Sequence, residues 1–421
     1  MNIIGIVILT TIIVSYLLDL FADILNLKNL GKELPEEFRG MIDSEKYLKS
    51  QNYTKENTYF GFAESTLGLV LPLLFWFLGG FVWLDNIVRA NVQNEIVRGI
   101  VFVTGILMTI SIISMPFGIY STFVIEEKYG FNKTTVKTYI LDILKSTALS
   151  ALIGIPVLAF ILYILADVGA WTFLYAWGFI IVFSLIIQYL APAIILPIFN
   201  KFKPLEEGEL RDSILSFAEK VKFPLKNIFV MDGSKRSSKS NAFFTGFGRN
   251  KRIAIFDTLI EKHTVPELTA VLAHEIGHYK LKHILTGSAI QYLRIGVMLY
   301  LLQFFINSDM LYSAFYLSSK SVYAGLIFFG MLYAPIDLIL SIFMNIRSRK
   351  HEYDADKFSV TNTKDPQSMI DALKKVSEHN LSNLTPHPFY VFLHYSHPPV
   401  IQRVEAIKSI KSIKSIKSIE N

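Results

Sequence analysis

Seven stretches of this chain, residues 3–25, 65–84, 99–125, 148–166, 171–190, 285–306 and 322–344, are almost wholly apolar. Each approaches or exceeds the roughly 20 residues that a helix needs to cross the hydrocarbon core of a bilayer. The chain therefore reads as a mainly α-helical protein with seven membrane spans. Pro72, Pro116 and Pro156 fall inside these runs and are expected to kink the helices without ending them. Composition points the same way, with 52% apolar and 18% charged residues where a soluble domain carries about 25% charge. The first run lacks the basic stretch that opens a cleaved signal peptide, since Met1-Asn2 leads directly into isoleucines, and it reads as a retained span.

Lysine and arginine are shared unevenly among the connections. Residues 26–66, expected as an ordered loop or short helices, carry Lys28, Lys32, Arg39, Lys46, Lys49 and Lys55. Loop 126–147 carries Lys128, Lys133, Lys137 and Lys145, whereas 85–98 holds Arg89 and Arg98, 307–321 holds Lys320, and 167–170 has no basic residue. By the positive-inside rule the rich loops are cytoplasmic, so the N-terminus is expected outside and the C-terminus in the cytoplasm. Arg294 and Asp337 fall within predicted spans, where a charge normally faces a partner or a watery interior. The net charge of +6 is modest, and no basic patch interleaved with aromatics suggests nucleic acid. The chain has no cysteine, which removes disulfides, thiolate metal ligands and cysteine nucleophiles.

Two polar segments interrupt the apolar pattern and divide the chain. Residues 1–199 hold five spans with cytoplasmic loops, 200–284 the first part of a soluble domain, 285–344 two further spans, 345–405 its second part, and 406–421 a low-complexity tail. Within the first part, 207–221 has helical spacing and 227–231 reads as a strand. Residues 242–247 can pair with 252–256 as a hairpin around Gly248-Arg249-Asn250. In the tail, isoleucine recurs every three residues, which drifts about 60° per repeat on a helix, so a frayed segment is expected.

The chemistry concentrates in residues 264–283, TVPELTAVLAHEIGHYKLKH. Thr264 and Glu267 form a T-x-x-E capping box, with Pro266 tolerated in the first turn. On the helix that follows, His274 and His278 lie one turn apart on one face, where two imidazoles can reach one metal ion. Glu275 is turned about 100° from His274, beside the metal rather than on it, where a base can take a proton from water. Catalytic zinc needs a third protein ligand, and without cysteine it must be His, Asp or Glu. Glu352 in HEYDADKF is the best candidate, and Asp356, one turn later, is spaced to orient a ligating histidine. His397 in HYSHPP, if brought near the metal, would donate to a tetrahedral oxyanion. The plainer readings are an amphipathic helix with surface histidines, an acidic helix face and an exposed loop histidine.

Five stretches together resemble the type I CAAX prenyl proteases, integral-membrane zinc endopeptidases of gluzincin type. They are YSTFVIEEKYGFNKTT (120–135), DGSKRSSKSNAFFTGF (232–247), HEIGH itself, SRKHEYDAD (348–356) and LTPHPFYVFLHYSHPPVIQR (384–403). The resemblance implies one zinc ion on His274, His278 and Glu352, with Glu275 as general base and Asp356 behind a ligand. It implies a seven-helix transmembrane chamber with a zinc protease domain, containing a small β-hairpin or sheet, on the cytoplasmic side. Asn241 and Ala242 would belong to an edge strand that receives extended substrate by strand addition. His397 and Arg403 would stand near the site and stabilise the transition state.

The partners implied are the lipid bilayer and proteins ending in a prenylated cysteine plus three residues, cut after that cysteine. Other membrane-associated proteins form a wider substrate class, and the membrane implied is the endoplasmic reticulum or a bacterial inner membrane. Lys239 stands where the family motif SSHSNA often has histidine, which is expected to change the rim of the cleft more than the chemistry. Two other readings remain: a quality-control zinc protease with no prenyl requirement, and a transporter or scaffold with a structural metal. Against the second, structural zinc usually has four protein ligands and no adjacent base.

Overall fold

The computed structural model describes residues 1–166, 169, 171–225, 228–245 and 252–419, the side chains of residues 245 and 411–419 excepted. Among these residues seven helices are long and apolar enough to cross a membrane: Ile3–Lys28, Ser44–Phe77, Glu95–Glu126, Val136–Ala166, Thr172–Phe199, His283–Phe305 and Val322–Thr363. The expected number of spans stands, and Pro72, Pro116 and Pro156 all lie inside helices.

The boundaries differ where hydropathy is a poor guide. The second span is not 65–84, and residues 44–66 are not loop: one helix runs from Ser44 to Phe77. Its polar first half is helical because Asp43 caps it, the carboxylate accepting from the Lys46 amide at 2.7 Å. It ends because Gly79 takes a left-handed turn, φ 75°, that glycine adopts freely. A Cβ on Gly80 would lie 2.3 Å from the Phe75 ring, so the corner needs both glycines before the separate helix Gly80–Asn91 departs. The seventh span does not stop at residue 344. It continues as a 42-residue helix through charged sequence to Thr363, ending where Lys364 turns left-handed, φ 61°. Arg294 and Asp337, each expected to need a partner, partner one another at 2.6 Å.

The two largest apolar cores among the described residues are separate. Ile8, Trp76, Phe102, Phe315 and Phe328 are fully buried where the membrane helices meet. The soluble region packs Ile214, Ile253, Ile255, Leu268, Leu272 and Ile276 between helices and a sheet. Its strands are β1 (Phe202–Pro204), β2 (Ile228–Met231), β3 (Ala242–Thr245) and β4 (Arg252–Phe256). Their order is β1-β2-β4-β3. β3 and β4 pair antiparallel, Ala242 opposite Ile255 and Thr245 opposite Arg252, as the hairpin expectation required; the turn itself, 246–251, lies outside the described residues. β2 runs parallel to β4, a pairing the sequence pattern does not suggest. β3 is thus an edge strand.

The tail departs from expectation, because helix Val400–Ile419 continues through it instead of fraying at 406. Val404 and Ile407 are buried against Met369 and Ile370, and Lys408 pairs with Glu37, which fixes the first turns from which the helix propagates.

Candidate active site

Helix Val265–Lys280 begins with the capping box of Thr264 and Glu267, formed on both sides as the sequence predicts. Leu268, Leu272 and Ile276 recur every fourth residue and sink into the soluble core. That fixes the rotation of the helix and turns His274 and His278 to its other side. The long helix Val322–Thr363 crosses there at close range. A Cβ on Gly277 would stand 3.1 Å from Phe358, and Ser359 Oγ donates to the Ala270 carbonyl at 2.7 Å. The crossing delivers Glu352.

The two Nε2 atoms of His274 and His278 are 3.1 Å apart. Glu352 Oε1 lies 3.3 Å from His278 Nε2, and Glu352 Oε2 lies 3.4 Å from His274 Nε2. One ligand atom from each of the three residues falls within 4.8 Å of the others. His274 Nδ1 donates to Asp356 Oδ1 at 2.8 Å, so its Nε2 presents a lone pair. Glu352 Oε2 is buried with no hydrogen-bond partner. His274 Nε2, His278 Nε2 and a Glu352 oxygen thus converge on one point, where a cation would take their lone pairs in place of a shared proton, and the two-imidazole, one-carboxylate set suits zinc. Without a cation, burial opposes charge on His274, but the facing Asp356 and Glu352 carboxylates outweigh it and push the ring up to about 9. Burial also pushes the Glu275 carboxyl up, against the pull of His274 and His278.

Arg403 grips Asp356 with two donors, Nε to Oδ2 at 2.8 Å and Nη2 to Oδ1 at 2.6 Å. Its Nη1 stands 3.4 Å from Glu352 Oε2, so one guanidinium faces both buried carboxylates. Spacing in the sequence says nothing of this fork; the resemblance alone brought Arg403 to the site. His397 Nε2 lies 3.4 Å from Glu352 Oε1 on a side chain that is 64% exposed, beside the ligand set yet open to an approaching molecule.

Asn241 and Ala242 lie at the start of edge strand β3, where the Asn241 carbonyl accepts from the Phe256 amide at 3.1 Å. The same strand packs on the histidine helix, Phe244 meeting the ring of Tyr279 at 5.7 Å. Lys239 is half-buried. Its Nζ bonds Tyr53 at 2.8 Å and Glu126 at 2.9 Å over the ring of Phe131, tying the soluble region to the second and third spans.

Residues 23–201 match the family described as CAAX prenyl protease N-terminal, five membrane helices, and residues 204–411 match Peptidase family M48. The chain is 37% identical over 408 residues to the CAAX prenyl protease 1 homolog of Arabidopsis thaliana, spanning 94% of this chain and 95% of that one. It is 36% identical over 405 residues to CAAX prenyl protease 1 of Saccharomyces cerevisiae, spanning 89% and 88%. The crystal structure of S. mikatae Ste24p superposes with a TM-score of 0.91 at 32% identity, covering 97% of this chain and 99% of that one.

Proposed function

The chain belongs to peptidase family M48, joined to the CAAX prenyl protease N-terminal region, and from that membership we propose that His274, His278 and Glu352 hold one zinc ion beside Glu275 as general base. The protein is a multi-span membrane metalloprotease that acts on CAAX proteins. The observation that carries the metal assignment is the convergence of His274 Nε2, His278 Nε2 and a buried Glu352 oxygen.

Zinc bound there supplies Lewis acidity, which brings the deprotonation of water near neutral pH and polarises a carbonyl. Glu275 takes the proton of the attacking water and delivers it to the departing amine as the C–N bond breaks. His397 donates to the oxyanion from its open position beside Glu352. Asp356 holds the His274 ring in the tautomer that exposes Nε2, and Arg403 offsets the charge of Asp356 and Glu352. An extended C-terminal peptide pairs with the free edge of β3 at Asn241 and Ala242. The lysine-rich connections support a cytoplasmic position for the soluble domain by the positive-inside rule.

The test compares a farnesylated CAAX peptide with its unprenylated twin, using detergent-purified protein with chelated protein as control. Cleavage of the prenylated peptide alone supports prenyl processing. Equal cleavage of both moves the function toward general membrane-protein clearance, and cleavage that survives chelation removes the metal from the mechanism.

A further inference from the structure

His274 has a carboxylate behind it, and the other candidate imidazole has something different. His278 Nδ1 lies 3.1 Å from Nδ1 of His283, and the His283 ring is stacked on His351 with centroids 3.9 Å apart and planes 2° from parallel. The backbone arranges this. The histidine helix ends at Lys280, Lys282 takes a left-handed conformation, φ 60°, and the next membrane helix starts at His283, so the turn folds His283 back beneath His278. His351 precedes Glu352 on the long helix, which makes the stacked pair a junction of all three helices.

We propose that His283 is the positioning residue of His278, accepting a hydrogen bond from the Nδ1–H of that ring so that Nε2 faces the metal. The inference rests on the zinc reading above. Two ring nitrogens 3.1 Å apart form a hydrogen bond when one carries the proton and the other a lone pair. A ring that offers Nε2 to a metal carries its proton on Nδ1, so His278 donates and His283 accepts, keeping its own proton on Nε2. The His351 stack fixes the plane in which the His283 lone pair points. The acceptor is a neutral ring, so His278 is oriented without a second carboxylate behind the site.

The test uses full-length, detergent-purified protein with His283→Phe, which keeps an aromatic ring but no acceptor, and His283→Asn, whose Oδ1 accepts from a similar place. Zinc affinity is read by chelator competition, and ligand geometry by the visible spectrum of the cobalt-substituted site. The Phe variant should bind zinc about 10- to 100-fold more weakly with altered cobalt bands, while the Asn variant stays within about threefold of the parent. Equal affinity and spectrum in the Phe variant and the parent would overturn the proposal. So would an Asn variant as impaired as the Phe variant, which would mean that ring packing alone is at stake. Should the Phe variant not fold, His283→Asp decides: as a stronger acceptor it must bind zinc at least as tightly as the parent, and weaker binding counts against the proposal. A parent protein that binds no zinc defeats the underlying metal reading instead.

Discussion

Asp356 Oδ1 lies 2.8 Å from His274 Nδ1, although 82 residues and a complete membrane helix separate the two in the chain. The bond joins the histidine helix to the helix that carries Glu352, and in the proposed metal site Asp356 would support His274 without touching the ion. Asp356→Ala should weaken zinc binding by about 10- to 100-fold, measured by chelator competition. Unchanged affinity would remove Asp356 from the ligand support.

The role proposed for Glu275 separates binding from chemistry. Glu275→Gln should retain zinc at the parent level and lose at least about a hundredfold in turnover, the range of a missing general base. Glu352→Ala, in contrast, should lose the metal itself. Full zinc content in Glu352→Ala, or residual turnover near the parent's in Glu275→Gln, contradicts the respective role.

Arg294 and Asp337 form a 2.6 Å ion pair between two membrane helices. Removing one partner leaves the other charge without compensation in the span. Arg294→Gln and Asp337→Asn should each lower the thermal midpoint, and the double variant should lose less than the sum, with a coupling of about 1 kcal/mol. Strict additivity would mean the pair contributes nothing as a pair.

The metal-free site holds a proton on His274 up to about pH 9. The folded value lies above the ordinary 6.5, so this proton stabilises the metal-free fold fully below 6.5, and that stabilisation is lost as pH rises through about 9. Zinc needs the neutral ring, so loading at pH 7.5 should release about one proton, and affinity should fall as pH drops. Calorimetry in two buffers of different ionisation enthalpy measures the release; a value of zero would show that the ring is already neutral.

The capped histidine helix, the number of spans and the β3–β4 pairing were legible because each is local: a cap, an apolar run, two strands close in sequence. Glu352 and Asp356 were legible as candidates only because one helical turn separates them. What was hidden depends on contacts made after folding. Hydropathy sees no difference between residues 65–77 and 78–84, yet the left-handed Gly79 ends the helix between them. Charged residues at 345–363 hide a helix that continues past the membrane. Lys239 reads as a surface substitution until Tyr53, Glu126 and Phe131 come together around it. His283 has no role legible from spacing until the turn at Lys282 folds it under His278.

The 42-residue helix that carries Glu352 is about 63 Å long, twice the thickness of the hydrocarbon it enters. A rod of that length is a lever. About 25 Å separates Pro335, inside its membrane portion, from Glu352, so a change of about 5° in tilt displaces the carboxylate by roughly 2 Å, about ten times the tolerance of a metal–ligand distance. Tilt answers to bilayer thickness, which makes the lipid a component of the catalytic geometry. In vesicles of graded acyl length, turnover should peak at one thickness and decline on both sides. A flat response would show that the close crossing at Gly277 clamps the lever against its surroundings.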